Sequence, residues 1–159
     1  MQQYRPRIAI IGSGTGSKSI CKTAYDIGLL LAQHGYEIVC GGLGGAMEAA
    51  CKGSYDGNGV SIGILPGAEL TAANPFVTVP IATGLGNMRN ALVVGNAAAV
   101  IAVDGEWGTL SEIALAMKTG KTIISIGRWN NLDGVIPVAS AKEAIATVIR
   151  LFPTHFESN

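Results

Sequence analysis

Charge is scarce in this chain. Lys and Arg number eleven, Asp and Glu eleven, and together they make 14% of the 159 residues, for a formal net charge of zero. No field of one sign exists to attract a polyanion, so nucleic acid and anionic membrane surfaces are not expected as partners. Long apolar runs are missing as well. The run Ala97 to Val103 is far shorter than the roughly 20 residues a bilayer span needs. Nothing before Arg7 has the apolar segment of a secretory leader, so a cytoplasmic setting is expected. Cysteine is rare: Cys21, Cys40 and Cys51 form no Cys-x-x-Cys pair and read as buried thiols. His34 and His155 stand alone, without ligand spacing. No metal site is expected.

Glycine and small aliphatics are abundant: 22 Gly, and 48% hydrophobic residues overall. The length fits one domain spanning residues 1–159. So little charge suggests that part of the surface is covered by another copy, as a homodimer or homotetramer. Apolar helices at 86–95 and from Trp107 onward, with little polar face, support the same expectation.

Strands and helices alternate. Strands are expected at Arg7–Ile11, Tyr36–Cys40, Val60–Leu65, Phe76–Val79, Ala98–Val103 and Thr122–Ile126. Helices are expected at Ser17–His34, Gly45–Tyr55, Gly86–Gly95, Trp107–Thr119 and Ser140–Leu151, with 128–138 as a loop. The strands are continuous runs of Ile, Val and Ala, the pattern of strands covered on both faces. The fold class is therefore α/β: a doubly wound, mostly parallel, Rossmann-like sheet with helices on both faces.

Three strand-to-helix turns are rich in glycine, and such turns present free backbone N–H groups and a helix dipole to an anion. The first contains Gly12, Ser13, Gly14 and Ser17. It fails the dinucleotide fingerprint Gly-x-Gly-x-x-Gly at Ser17, and the second strand ends without the acid that would hold a ribose. It either holds a phosphate or is a tight turn with a hydroxyl cap. The second turn has Gly41, Gly42, Gly44 and Gly45, which permit close approach of a ligand or of a packed helix. The third has Gly105, Trp107, Gly108 and Thr109.

Arg89 is the only basic residue between Lys52 and Lys118. A lone guanidinium in an apolar region needs a partner, either a ligand phosphate or an acid such as Glu112 or Glu48. Glu112 follows Thr109 at capping-box spacing, a purely structural alternative that Ser140 to Glu143 also satisfies.

The segments Gly41-Gly42-x-x-Gly45-Ala46-Met47, Met88-Arg89-Asn90-Ala91 and Gly105-x-x-Gly108-Thr109-x-x-Glu112 resemble the Lonely Guy family, long called lysine decarboxylase-like. The stretch Val60 to Gly67 and the glycines before Arg89 are similar to its single-domain branch, which includes the molybdenum cofactor carrier protein. The resemblance implies that Arg89 and Glu112 are the catalytic pair, and that Gly105, Gly108, Thr109, Met88 and the neighbouring turns bind the ligand phosphate. Where the family loop has Pro and a second Gly, this chain has Asp104 and Glu106. Carboxylates beside a phosphate cost on the order of 1–4 kcal/mol. They must turn away, become protonated, pair with Lys18, or hold a hydroxyl or Mg²⁺.

Two functions stay open. One is a binding protein for a phosphate-bearing small molecule, either a nucleotide or the molybdenum cofactor. The other is a nucleoside 5′-monophosphate phosphoribohydrolase that cleaves the N-glycosidic bond. Neither needs a resident cofactor. A decarboxylase is not expected, because no lysine is placed for a Schiff base.

Overall fold

The computed structural model describes residues 4–154. Residue 155, one of the two histidines, lies outside them. Seven strands form one sheet: β1 (Arg7–Gly12), β2 (Glu37–Cys40), β3 (Ser61–Leu65), β4 (Val79–Ala82), β5 (Ala99–Val103), β6 (Thr122–Ile126) and β7 (Ile136–Pro137). Their order is β4-β3-β2-β1-β5-β6-β7, and every pairing is parallel. The helices are α1 (Lys18–Gln33), α2 (Ala46–Asp56), α3 (Asn90–Gly95), α4 (Trp107–Lys118) and α5 (Ala141–Leu151).

Alternate residues of each strand serve opposite cores, as the two-residue period of a strand requires. Ile8, Ile10 and Ile38 pack with α1, α2 and α5. Ala9, Ile11 and Val39 pack with Val93 and Val94 of α3 and Ile113 and Ala116 of α4. Burial on both faces explains the unbroken apolar runs, and the α/β doubly wound expectation holds.

The sheet edges depart from the sequence reading. The fourth strand lies at Val79–Ala82 instead of Phe76–Val79. Asn74 Oδ1 accepts from the Phe76 N–H at 3.1 Å, and that local turn occupies the start of the expected strand. Pro80 is tolerated because β4 is an edge strand. The segment read as a loop contains β7, a two-residue pairing with Ile124 and Ser125. The helix expected at 86–95 is divided into a 3-10 turn at Gly86–Arg89 and a short α3.

Candidate functional site

The chain turns from one side of the sheet to the other between β1 and β5, which lie side by side. Open parallel sheets bind ligands outside the carboxyl ends of the strands at such a switch point. A cavity of about 300 Å³ opens there, lined by residues 10–15 of β1 and its loop, Met47, Asn87, Arg89, Asn90, Glu106, Gly108, Thr109 and Glu112. Arg89, Glu112, the first glycine turn and the third turn therefore meet at one place.

Arg89 ends the 3-10 turn and is only 8% exposed. Its Nη1 donates to Asn90 Oδ1, and Nη2 lies 3.5 Å from the Gly41 carbonyl. Its Nε is buried and has no hydrogen-bond partner among the described residues. A Cβ at residue 41 would sit 2.5 Å from Nη2, so this glycine leaves the volume the guanidinium occupies. Asn90 Nδ2 donates to Ser111 Oγ at 3.2 Å, and Ser111 Oγ donates to the Gly108 carbonyl at 2.6 Å. That relay fixes the arginine to the first turns of α4. Asn90 stands out in the sequence only as part of Met88-Arg89-Asn90-Ala91, and Ser111 carries no signal that would single it out as a support.

Glu112 lies in the second turn of α4, only 7% exposed. Helix α4 begins at Trp107, so Glu112 sits too far along to cap it and the capping-box alternative fails. At α5 the same spacing is a cap: Ser140 Oγ accepts from the Glu143 N–H at 3.2 Å, and Glu143 accepts from the Ala139 N–H at 2.9 Å. Burial raises the Glu112 carboxyl to about 7, with the Arg89 charge opposing that rise. Among the described residues no ion pair joins Arg89 to Glu112 or Glu48.

The remaining expected site residues divide. Nothing lies within 4 Å of where a Cβ would stand on Gly14 or Gly108, so both present bare backbone to open space. The α4 N-terminus has no side-chain cap, which leaves its first amides available. Gly12 packs against β5 and still borders the cavity, as does Ser13. Ser17 is the N-cap of α1, its Oγ accepting from the Ile20 N–H at 3.3 Å, and does not line the cavity. Gly42, Gly44 and Gly45 do not line it either. A Cβ on Gly45 would meet the Ser13 carbonyl at 2.3 Å, and the Ala46 N–H donates to that carbonyl at 2.9 Å. The second turn is a brace for the first. Gly105, with φ +106°, packs on Thr109. Met88 is 76% exposed and faces outward beside α4. Trp107 is 72% exposed and does not line the cavity.

Both unusual acids are engaged by Arg128, in the loop that follows β6. Asp104 Oδ1 accepts from the Arg128 backbone N–H at 3.2 Å, and Glu106 Oε2 accepts from Arg128 Nη1 at 2.8 Å. Lys18 is not their partner. The Arg128 guanidinium also lies 5.9 Å from the Trp107 ring centroid and 4.8 Å from that of Trp129. Among the described residues no cluster of three or more His, Cys, Asp or Glu could hold a metal ion. Cys40 and Cys51, unrelated by spacing, bring their sulfurs to 3.5 Å behind the second turn. That hydrogen bond and burial push the Cys40 thiol well up.

The model of the SLOG cluster4 family matches residues 5–150. An uncharacterized protein of Archaeoglobus fulgidus is 37% identical over 139 residues, 87% of this chain and 91% of that protein. The molybdenum cofactor binding protein of Rippkaea orientalis superposes with a TM-score of 0.90 at 33% identity, covering 94% of this chain and 99% of that one. The molybdenum cofactor carrier protein of Chlamydomonas reinhardtii gives 0.87 at 30% identity, covering 95% and 100%.

Proposed function

The chain belongs to the SLOG cluster4 family, and from that premise we propose that its cleft carries a phosphate-bearing pterin, the molybdenum cofactor or a close analogue. The observation that supports this most is Arg89, buried with an unpartnered Nε beside uncapped α4 amides. Such a guanidinium is costly unless an anion completes its hydrogen bonding. A phosphate monoester supplies both charge and acceptors. The cavity, about 300 Å³, stands at the lower end of small-molecule sites. Bare backbone at Gly14 and Gly108 lets phosphate oxygens reach N–H groups. The two solved neighbours named for this cofactor point the same way. A chain with zero net charge suits a small ligand better than nucleic acid, and cysteines without a pairing motif suit a cytoplasmic setting. Calorimetry with molybdopterin should give micromolar or tighter binding, weakened about 10-fold or more by Arg89→Ala. Equal affinity in that variant would remove Arg89 from the site.

Glu112 supports a second reading, cleavage of an N-glycosidic bond in a nucleoside 5′-monophosphate. A carboxyl poised near 7 beside the phosphate site would, once ionised, stabilise positive charge growing on the ribose or activate water. Incubation with AMP should then release adenine, and a Glu112→Ala control should release none. No adenine above that control leaves carriage alone.

A second copy of the chain covers the groove between α3 and α4 in this reading. Met88, Ala91 and Leu115 line it, and Lys118 is its only charged residue. A face so poor in charge suits self-association. Asn87 and Asn90 border both this groove and the ligand cavity.

A further inference from the structure

Arg89 is held by neutral groups. Its Nη1 donates to the Asn90 side-chain carbonyl, and its Nη2 lies 3.5 Å from the Gly41 backbone carbonyl. Among the described residues no carboxylate forms an ion pair with it. Of the two acids that line the same cavity, Glu106 pairs with Arg128 at 2.8 Å, and Glu112 pairs with no base. A carboxylate is the usual partner of a buried guanidinium, and it would cancel the charge before any ligand arrived. The Asn90 amide offers an acceptor oxygen without a charge. Its direction is dictated at both ends. A guanidinium only donates, so it takes the amide oxygen. At the other end the Ser111 hydroxyl donates to the Gly108 carbonyl at 2.6 Å, which leaves Ser111 Oγ as an acceptor for Asn90 Nδ2 at 3.2 Å. Asn90 is buried and lines the cavity, so both bonds are sheltered from bulk water.

We infer that Asn90 is the positioning residue of the anion anchor: its amide, set in direction by Ser111, holds the Arg89 guanidinium at the cavity with its charge uncancelled. The selectivity of the cleft follows from that arrangement. An unpaired guanidinium, whose Nε has no partner among the described residues, favours a phosphate monoester over the same molecule without its phosphate. Asn90→Asp keeps the size of the side chain and turns the anchor into a buried ion pair, which removes the preference while the arginine stays in place. This inference rests on the phosphate-binding cleft proposed above and adds the residues that keep its arginine oriented and unpaired.

Calorimetry on the full chain with dihydroneopterin and its monophosphate reads the anchor as a preference for the phosphate. The native chain should bind the monophosphate about 10-fold or more tighter, and Arg89→Ala should abolish that preference. Asn90→Asp should lower monophosphate affinity about 10-fold or more and leave dihydroneopterin within about 3-fold. Equal losses for both probes would mark a merely structural residue and overturn the inference. Ser111 is exposed, so its variants keep the fold and carry the test should Asn90→Asp fail to fold. Ser111→Ala, which frees the amide to turn, should weaken the monophosphate about 3-fold or more, and Ser111→Thr should restore it. With Arg89→Ala already in place, Ser111→Ala should change nothing further, because its effect runs through the arginine. Native affinity in either Asn90→Asp or Ser111→Ala, alongside a clear loss in Arg89→Ala, overturns this inference and spares the anchor. Failure of the native chain to bind the monophosphate better than dihydroneopterin overturns the anchor and this inference together.

Discussion

Glu112 is where a single side chain makes the whole protein answer to pH. Its carboxyl is raised by burial from 4.5 to about 7, so folding favours the protonated form. The stabilisation is complete below 4.5 and is lost as pH climbs through 7. At about 1.4 kcal/mol per pH unit, the loss between those values reaches roughly 3 kcal/mol. Glu112→Gln removes the titration. Urea denaturation should therefore find the two proteins diverging above pH 5, with the variant ahead at pH 8 by about 2–3 kcal/mol. Parallel stability curves would show that the carboxyl is solvated like an ordinary one. Gly41→Ala probes the neighbouring arginine. The added methyl meets the end of the Arg89 side chain and the Met47 sulfur, both of which can move. The fold should survive, with ligand affinity down about 10-fold because the guanidinium is displaced.

At the scale of elements, the closest helix pair is α1 against α2, and two glycines make it so. A Cβ on Gly28 would fall 2.0 Å from the Ala50 carbonyl oxygen, and one on Gly53 would fall 2.0 Å from that of Tyr25. Backbone cannot yield as a side chain end does. Gly28→Ala should cost about 2–3 kcal/mol in denaturant unfolding, a large effect for one methyl group. An unchanged midpoint would mean that the helices separate freely. This scale also shows what could be read from the chain alone. The strands buried on both faces and the helices behind the glycine turns were legible because their apolar periods are strong. Edge strand β4 was displaced by a turn at Asn74, and β7 is too short to carry a pattern. At the site, Arg89 and Glu112 were legible from their isolation and their company. Arg128 was not, because its link to Glu106 crosses 22 positions and joins two loops that no periodicity connects. In the second turn glycine signals close approach by ligand or chain, and the fold brings the backbone of Ser13 and Gly14 against Gly45.

For the molecule as a whole, the proposed pairing of two copies rests on the groove of α3 and α4, where Lys118 is the one charged lining residue. Light scattering should give a mass twice 16.3 kDa or a higher even multiple. Ala91→Arg, which puts charge into that groove, should reduce it to the monomer; a native monomer at micromolar concentration would refute the pairing. The all-parallel sheet also has a kinetic consequence. No strand can zip onto its neighbour through a tight hairpin, and β1 at the centre finds its second partner, β5, only once residues 99–103 exist. Closing so long a loop is slow, and partly formed sheets expose sticky edges meanwhile. During synthesis the first strand must wait for more than half the chain, so refolding yield should fall steeply with concentration long before stability becomes limiting.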